Sequence, residues 1–549
     1  MERAPFRFQF IHLFIALAVL LNFSGLFVTI MGPDATLYAS VSKTMVLKNN
    51  YLELFRDGRD WLDKPHFPFW MTAFSFKIFG FTTWAYKLPG ILFMLLGALY
   101  TYKLAGKLYN KEVGLWAVLI LLTAQHIVLS NNDVRAEPYL TGLIIASVYH
   151  FYKAKPGNSY VQILLGSLFA ACAVMTKGPF AIIPIGGGIA GDLLMRKDWK
   201  NLLSIKWVVA VVLTLLFITP ELYSLYYQFD VHPEKIVFGR TNVSGLKFFF
   251  WDSQFGRFFN TGPIKGEGDP FFFVHTTLWA FLPWSVLLYI AFIQYFRRYL
   301  KERTQHEWVC LSAALLTFLV FSLSKFQLPH YLNIVFPFFA IITAQYIYNI
   351  QQQKTINAVR IIQMVFIVIL FLLPLAVEFL YAPEQFIYIA ILAAIFIVLI
   401  IFVNRKLNQA GKLKIVFSTV LASVFLNLFL NLWFYPSLLR YQSGSEAAYW
   451  INENNKDQLP VVALQPNNAL EFYLNRPYHP VDINTDSIPK PSLIYASQAD
   501  LPPLTAKGCK LESVKSFQQF SVTQLDLQFI NKETRAEAIK EMVLVKCMP

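Results

Sequence analysis

From the N-terminus to about residue 436 the chain is a succession of apolar runs, many near twenty residues long, joined mostly by short polar loops. A helix of about 20 apolar residues crosses the hydrocarbon core of a bilayer. In lipid, a backbone with no water to bond must close its hydrogen bonds internally, which leaves a helix as the economical solution for such runs. We read thirteen spans, at about 9–30, 84–104, 113–130, 138–152, 160–176, 179–195, 207–227, 273–296, 308–323, 331–350, 361–380, 386–403 and 414–434. Composition agrees: 56% of residues are hydrophobic and 15% charged, against roughly 25% charged in soluble proteins. The expected fold is a membrane all-α domain of about thirteen transmembrane helices over residues 1–436.

The net charge of +14 does not point to nucleic acid, because the cations sit in short loops between apolar runs. With the N-terminus in the cytoplasm, the short inner loops hold nineteen Lys and Arg, Arg303 among them, and the short outer loops three, Arg135, Lys177 and Lys325. That asymmetry is the positive-inside pattern and predicts a multi-pass inner-membrane protein with its odd-numbered last span leading outward. The first run follows Arg3 and Arg7; its length and the lack of a small-residue cleavage site predict a retained anchor rather than a signal peptide. Phe67 to Phe79 is too short to span and contains Pro68 and Lys77, so it reads as an interfacial helix with its axis along the membrane.

Two outer loops are long, about 31–83 and 228–272. In the first, Asp34–Asn49 predicts an amphipathic surface helix. The second has Gly262, Pro263, Gly266, Gly268 and Pro270, which predict irregular backbone. Residues 437–549 change character. A helical start at Ser443–Asn455 and strand-like runs at Val461–Leu464, Ser492–Ala496, Val514–Leu527 and Met542–Lys546 predict a small periplasmic α/β domain. Outside the cytoplasm a Cys509–Cys547 disulfide is allowed, the alternative being two free buried thiols.

Ionisable residues near membrane depth are functional candidates because burying charge is expensive. Here they gather on one side. Asp34 follows the first span; Asp63-Lys64-Pro65 opens the interfacial segment; Asp133, Arg135 and Glu137 stand at the outer end of the third span. Lys177 lies between the fifth and sixth spans, Arg257 in the second long loop, and Lys325, His330 and Tyr331 before the tenth span. Cations can stabilise negative charge growing on a leaving phosphate, and a carboxylate can take the proton of an incoming hydroxyl. Each has a plainer reading: Asp34 as a helix cap, Lys64 as a snorkelling anchor, Lys177 as an interfacial cation, Asp133 as a structural partner of Arg135, and His330 as a packed residue.

Taken together, Asp34-Ala-Thr-Leu-Tyr38, Asp63-Lys-Pro-His-Phe-Pro68, Arg135-Ala-Glu137, Thr176-Lys-Gly-Pro179, Phe250-Trp251 with Gly256-Arg257, and Lys325 with Pro329-His-Tyr331 resemble the bacterial branch of the protein O-mannosyltransferase superfamily. The layout is most similar to that of the lipid A aminoarabinose (4-amino-4-deoxy-L-arabinose) transferases. The resemblance implies a GT-C-like fold with outer-face juxtamembrane helices. It also implies inverting transfer of a sugar, pentose or hexose, from a polyprenyl-phosphate carrier to a glycolipid such as lipid A, a glycan or a protein. By motif position it makes Asp34 the catalytic base, with Lys64, Lys177, Arg257, Lys325 and Tyr331 on the carrier phosphate. Asp63, Arg135 and Glu137 would serve the sugar or acceptor.

Ala35 stands where superfamily members often carry an acid. Asp63 and Gln254 stand where zinc-binding relatives have Glu and His, so neither a metal nor another cofactor is expected. The expected partners are the lipid-linked donor, the acceptor and membrane lipids, with a monomeric protein and no nucleic acid. The alternative from another class is a transporter or flippase of a lipid-linked or polar substrate, which would carry its ionisable residues at mid-membrane in broken helices.

Overall fold

The structure, a computed structural model, describes residues 4–155, 159–302, 307–381, 386–407 and 411–549. Arg3 and Arg303 of the charge count lie outside the described residues. Each of the thirteen apolar segments falls mainly on one helix or on two or three consecutive helical stretches, with short breaks at residues 123–124, 218 and 281–284. Among the described residues, seven helices are long and apolar enough to cross a membrane. Their burial separates the bundle centre from its rim. In their most apolar 18 residues, Pro329–Asn349 and Gly411–Tyr441 are 83% and 89% buried, whereas Trp199–Phe217 is 11% and Gln353–Tyr381 and Phe386–Lys406 are 17% each. The second group pack against the bundle along one side only and leave apolar side chains exposed on the rest, as lipid-facing helices do.

Small residues let helices approach closely where no hydrophobic gain separates helix contact from lipid contact. Thr83–Leu108 and Glu137–Ala154 meet this way. A Cβ on Gly142 would lie 2.1 Å from the Phe93 carbonyl oxygen, and one on Gly97 would lie 3.1 Å from the Gly142 Cα. Two breaks inside the bundle satisfy each other. The Gln125 amide, past the end of Lys111–Leu122, donates to the Leu282 carbonyl (2.9 Å) between Phe272–Ala280 and Ser285–Glu302. Trp284 Nε1 donates to Thr123 Oγ1 at 3.0 Å. Unpaired backbone at such depth would otherwise be costly.

The first long loop is more ordered than expected. Asp34–Leu47 is helical but not a surface helix: nine of its residues are buried. The expected exposed face is covered by the interfacial helix Phe67–Phe79 and by Asn468–Tyr473 of the C-terminal region. Phe67–Phe79 has the expected bounds, started by Pro68 and ended at Gly80 with φ 78°. Between them a hairpin of β1 (Phe55–Arg56) and β2 (Arg59–Asp60) turns through Asp57 and Gly58, both at positive φ. The second long loop differs too. Gly245–Phe259 is helical with a π-helical stretch at Phe248–Gly256, because Ser244 caps its start and Asp230 accepts from the Gly245 and Leu246 amides. Irregular backbone remains on both sides of it, at residues 231–244 and in the glycine-rich part that follows.

The C-terminal region forms a five-stranded mixed sheet from β3 (Val461–Ala463), β4 (Tyr478–Pro480), β5 (Ser492–Ser497), β6 (Lys510–Gln519) and β7 (Lys540–Met548), in the order β4-β3-β5-β7-β6. The pairs of β3 with β4 and β5 are parallel; β7 runs antiparallel to β5 and β6. The helix expected at Ser443 is present as Ser443–Asn454. The strand expected at Val514–Leu527 instead starts at Lys510 and stops at Gln519, where Phe520 turns away to stack on Phe529 at 3.8 Å. Cys509 and Cys547 form a disulfide.

This sheet domain grips the segment that leads into Asp34. Gln442 accepts from the Gly32 amide (2.6 Å) and donates to the Ile30 carbonyl (3.0 Å), while Tyr473 Oη accepts from the Ile30 amide (2.8 Å). From the other side, Lys43 Nζ donates to the Glu471, Phe472 and Leu474 carbonyls at 3.0, 2.8 and 2.7 Å. These carbonyls close a helix C-terminus, where a cation is favoured. Replacing Lys43 with Met leaves them without that donor. We expect a loss of about 1–3 kcal/mol, read as earlier melting of the C-terminal domain in thermal unfolding.

Candidate functional site

The Asp63–Lys64 turn is fixed from behind. His66 is fully buried; its amide and Nδ1 meet the two Glu221 carboxylate oxygens at 2.9 and 3.1 Å, and its Nε2 lies 3.1 Å from the Leu52 carbonyl. Pro65 restricts Lys64 to extended backbone. The loop so held presents Asp63 between two cations: Lys64 Nζ at 2.9 Å and the Arg257 guanidinium, which also bonds it directly. Burial alone would raise the Asp63 carboxyl, but Lys64 and Arg257 outweigh it and hold it below the usual aspartate range. Burial also lowers the Lys64 ammonium, with Asp63 opposing. Arg257 is pulled down by burial and more than restored by Asp63, ending above its ordinary value.

Lys177 closes the Tyr160–Lys177 helix. It pairs with Glu137, which is buried at the N-terminus of Glu137–Ala154, and lies 3.7 Å from the centre of the Tyr331 ring. His330 Nε2 lies 3.7 Å from the same Glu137 carboxylate, so His330 belongs to this group. Gly178, at φ 104°, permits the turn that follows. Gln254, given only as a possible ligand position from sequence, clips that turn by donating to the Lys177 carbonyl (3.1 Å).

Asp34 meets Arg135 at 2.6 Å, and Asp133 holds the other end of that guanidinium at 2.8 Å. The Asp34 side chain is about half exposed (48%), whereas those of Arg135 and Asp133 are 15% and 17%. Asp133 is therefore a structural partner, though buried rather than solvated; burial raises its carboxyl above the usual range against the pull of Arg135. The turn carrying both residues is tied to the bundle by buried asparagines. Asn131 Nδ2 donates to Asn22 Oδ1 (2.7 Å) and Asn132 Nδ2 to Asn431 Oδ1 (2.8 Å). The sequence reading passed over these, as it did Lys87, whose buried ammonium donates to the Gly25 and Val28 carbonyls (2.9 and 2.6 Å) after the first helix.

A cavity of about 80 Å³ lies where these groups converge, lined among others by Asp63, Lys64, Lys177, Arg257, Ser324 and Tyr331. Three cations face it against one carboxylate, and Arg257 Nε is buried without an acceptor among the described residues. Such a surplus of donors suits an anion. Beyond the Pro179–Phe180 turn lies an apolar trough of about 400 Å³ between the helices of residues 160–177, 182–195 and 205–217, with Thr214 its one hydroxyl. Of the nine candidate residues, Asp63, Lys64, Lys177, Arg257 and Tyr331 line the cavity; Asp34, Arg135 and Glu137 are not in its wall, and neither is Lys325. Its amide donates to the Phe258 carbonyl (3.0 Å), but its side chain is exposed, makes no ion pair among the described residues and is not part of the cavity wall. Ser324 and Phe326, on either side, line the cavity instead. No group of three His, Cys, Asp or Glu among the described residues could hold a metal. At the two zinc-ligand positions, Asp63 is occupied by Lys64 and Arg257, and Gln254 is a neutral amide, so the residues present do not fit a zinc ion.

The anion cavity and the apolar trough thus lie side by side on a helical bundle that carries a sheet domain. The fold matches the crystal structure of ArnT from Cupriavidus metallidurans bound to undecaprenyl phosphate, with TM-score 0.75 and 18% identity over 98% of each chain. It also matches the oligosaccharyltransferase AglB from Archaeoglobus fulgidus, with TM-score 0.52 and 12% identity over 90% of this chain and 70% of that one. In sequence, residues 63–223 match the family described as dolichyl-phosphate-mannose-protein mannosyltransferase. The undecaprenyl phosphate-alpha-4-amino-4-deoxy-L-arabinose arabinosyl transferase 2 of Proteus mirabilis is 27% identical over 336 residues, 60% of this chain and 57% of that protein. An uncharacterised protein of Aquifex aeolicus is 26% identical over 358 residues, 64% of this chain and 66% of its own length. The chain thus spans roughly half to two thirds of the length of the curated relatives it matches. The resemblance to the aminoarabinose transferases holds in both sequence and fold.

The Asp63 ion pairs have a definite pH signature. A carboxyl with a lowered folded pKa stabilises the fold above its unfolded value, near 3.9, and loses that contribution as pH falls through the folded value. Asp63→Asn should therefore cost about 1–3 kcal/mol at neutral pH. The gap to the unmodified protein should narrow as the pH falls below the usual aspartate range, in thermal unfolding run as a pH series.

Proposed function

We propose that this protein is an inverting glycosyltransferase that moves a sugar from a polyprenyl-phosphate carrier to an acceptor hydroxyl on the periplasmic face of the inner membrane. The observation that carries the reading is the cation-rich cavity opening beside an apolar trough, with Asp34 close by. The relatives named above as undecaprenyl-phosphate transferases support it. The trough takes the isoprenoid tail, and Lys64, Lys177 and Arg257 take the phosphate. Asp34, oriented by Arg135, accepts the proton as the acceptor oxygen attacks the anomeric carbon and the carrier phosphate leaves. The growing charge on that phosphate meets fixed cations in a site partly shielded from water, where their stabilisation is largest. Glu137 orients Lys177 and faces the sugar; Tyr331 packs under the Lys177 ammonium.

The positive-inside distribution supports thirteen crossings, with a cytoplasmic N-terminus and a periplasmic sheet domain. The protein works as a monomer and without a resident metal. The candidate residues gather at one end of the bundle, and a second ion cluster, Asp192 with Lys155 and Arg196, lies at the loops of the other end. The charges thus sit at the bundle's ends, which favours transfer chemistry over transport.

In purified protein supplied with a polyprenyl-phosphate sugar, Asp34→Asn should lower the transfer rate about 10²–10⁴-fold and leave carrier binding intact. Unchanged transfer would remove the proposed base, and substrate flux without a transferred sugar would make the protein a transporter. Lys64→Ala should weaken carrier-phosphate binding and cost about 10²–10³-fold in rate. Lys325→Ala should cost far less, because its side chain lies outside the cavity.

A further inference from the structure

Beside the segment that leads into Asp34, the sheet domain and the Asp34–Leu47 helix enclose a second cleft. Gly32, Pro33 and Thr36 form one wall, so the cleft flanks the residue that would take the acceptor's proton. It comprises a cavity of about 300 Å³ against that helix and one of about 710 Å³ running on toward β7. The two share Pro466, Asn467, Gln519, Phe520 and Ser521 and are continuous. Pockets for organic ligands occupy ~300–1,000 Å³.

Its chemistry is unlike that of the carrier cavity. Among the described residues, the formal charges lining it are Arg56, Lys540 and Glu541, and Arg56 is paired with Asp57 at 3.3 Å. The remaining polar lining is amide and hydroxyl; Gln442, Asn467 and Gln519 already bond to protein partners, which leaves Asn468, Ser521, Thr523 and Gln524 to face a ligand. An amide presents an acceptor and two donors in one plane, which matches neighbouring hydroxyls on a sugar ring. Asn468 is 8% exposed; its Nδ2 reaches the Pro33 carbonyl (3.5 Å) while its Oδ1 has no donor among the described residues. A buried acceptor left this way costs about 1–3 kcal/mol, and a ligand hydroxyl would satisfy it.

We infer that this cleft is the acceptor site and that the acceptor is an uncharged glycan chain, bound by Asn468 and its neighbours with one hydroxyl directed at Asp34. A phosphorylated glycolipid headgroup would call for several cations, and the cleft has no such excess. The inference rests on the transfer reading above and adds the class of acceptor.

Two full-length variants test it in the producing cells: Asn468→Leu, which removes the amide at similar volume, and Ser521→Trp, which fills the cleft from an exposed position. Mass spectrometry of neutral glycans, lipid A and envelope proteins should find the added sugar on neutral glycan in the unmodified strain, reduced at least tenfold in both variants. Both purified variants should keep the thermal stabilisation given by added undecaprenyl phosphate, which shows that they fold and that the carrier cavity is intact. The added sugar on lipid A or on protein, or undiminished product in both variants, overturns the acceptor assignment alone. Absence of stabilisation by undecaprenyl phosphate in the unmodified protein overturns the transfer reading instead.

Discussion

The site depends on charges held close together at the edge of a low-dielectric bundle without cancelling one another. Asp63 gives Lys64 and Arg257 a common partner, and Glu137 does the same for Lys177. Cations so near each other would repel if unpaired, and paired one to one they would have nothing left for a ligand. Three cations against two carboxylates, Asp63 in the wall and Glu137 on Lys177, leave a local positive excess that an incoming phosphate would complete. The contacts of His66 with Glu221 and of Gln254 with the Lys177 carbonyl, behind the charged groups, keep them in place before any ligand arrives.

Most of the helical architecture was legible because the signal is redundant: an apolar run of the right length has few alternatives in lipid. The span edges and the interfacial helix Phe67–Phe79 follow from composition and from Pro68 and Gly80. What sequence could not show was how the outer loops would be covered. Asp34–Leu47 looks like a surface helix until the sheet domain, more than 400 residues further on, settles over it through Gln442, Lys43 and Tyr473. The glycines after residue 260 made the whole second loop read as irregular, whereas Asp230 and Ser244 supply a helix start that no periodicity reveals.

The candidate residues were found by charge at the membrane edge together with motif order, and most converge. Lys325 does not, because a turn residue's neighbourhood can be inferred while the direction of its side chain depends on the local backbone. The Phe258 carbonyl fixes that backbone so that Ser324 and Phe326 face inward instead. Gln254 and the buried asparagines escaped notice for the opposite reason. They carry no charge, and their importance lies in backbone contacts with distant segments. Asn22, Asn131, Asn132 and Asn431 look ordinary in sequence and are informative only once they are seen bonded to one another.

The hold of Gln442 and Tyr473 on Ile30 and Gly32 has an evolutionary corollary. On the proposed function, the membrane half can preserve its handling of a lipid-borne sugar while the sheet domain diversifies, since the strap beside Asp34 is one of the few places where the two must fit closely. Descendants could then exchange recipients by remodelling the surface of the cap and leaving the bundle untouched, provided that the amide and the phenol gripping the strap survive. Drift should accordingly be slow at those two positions and fast around the rim of the cleft.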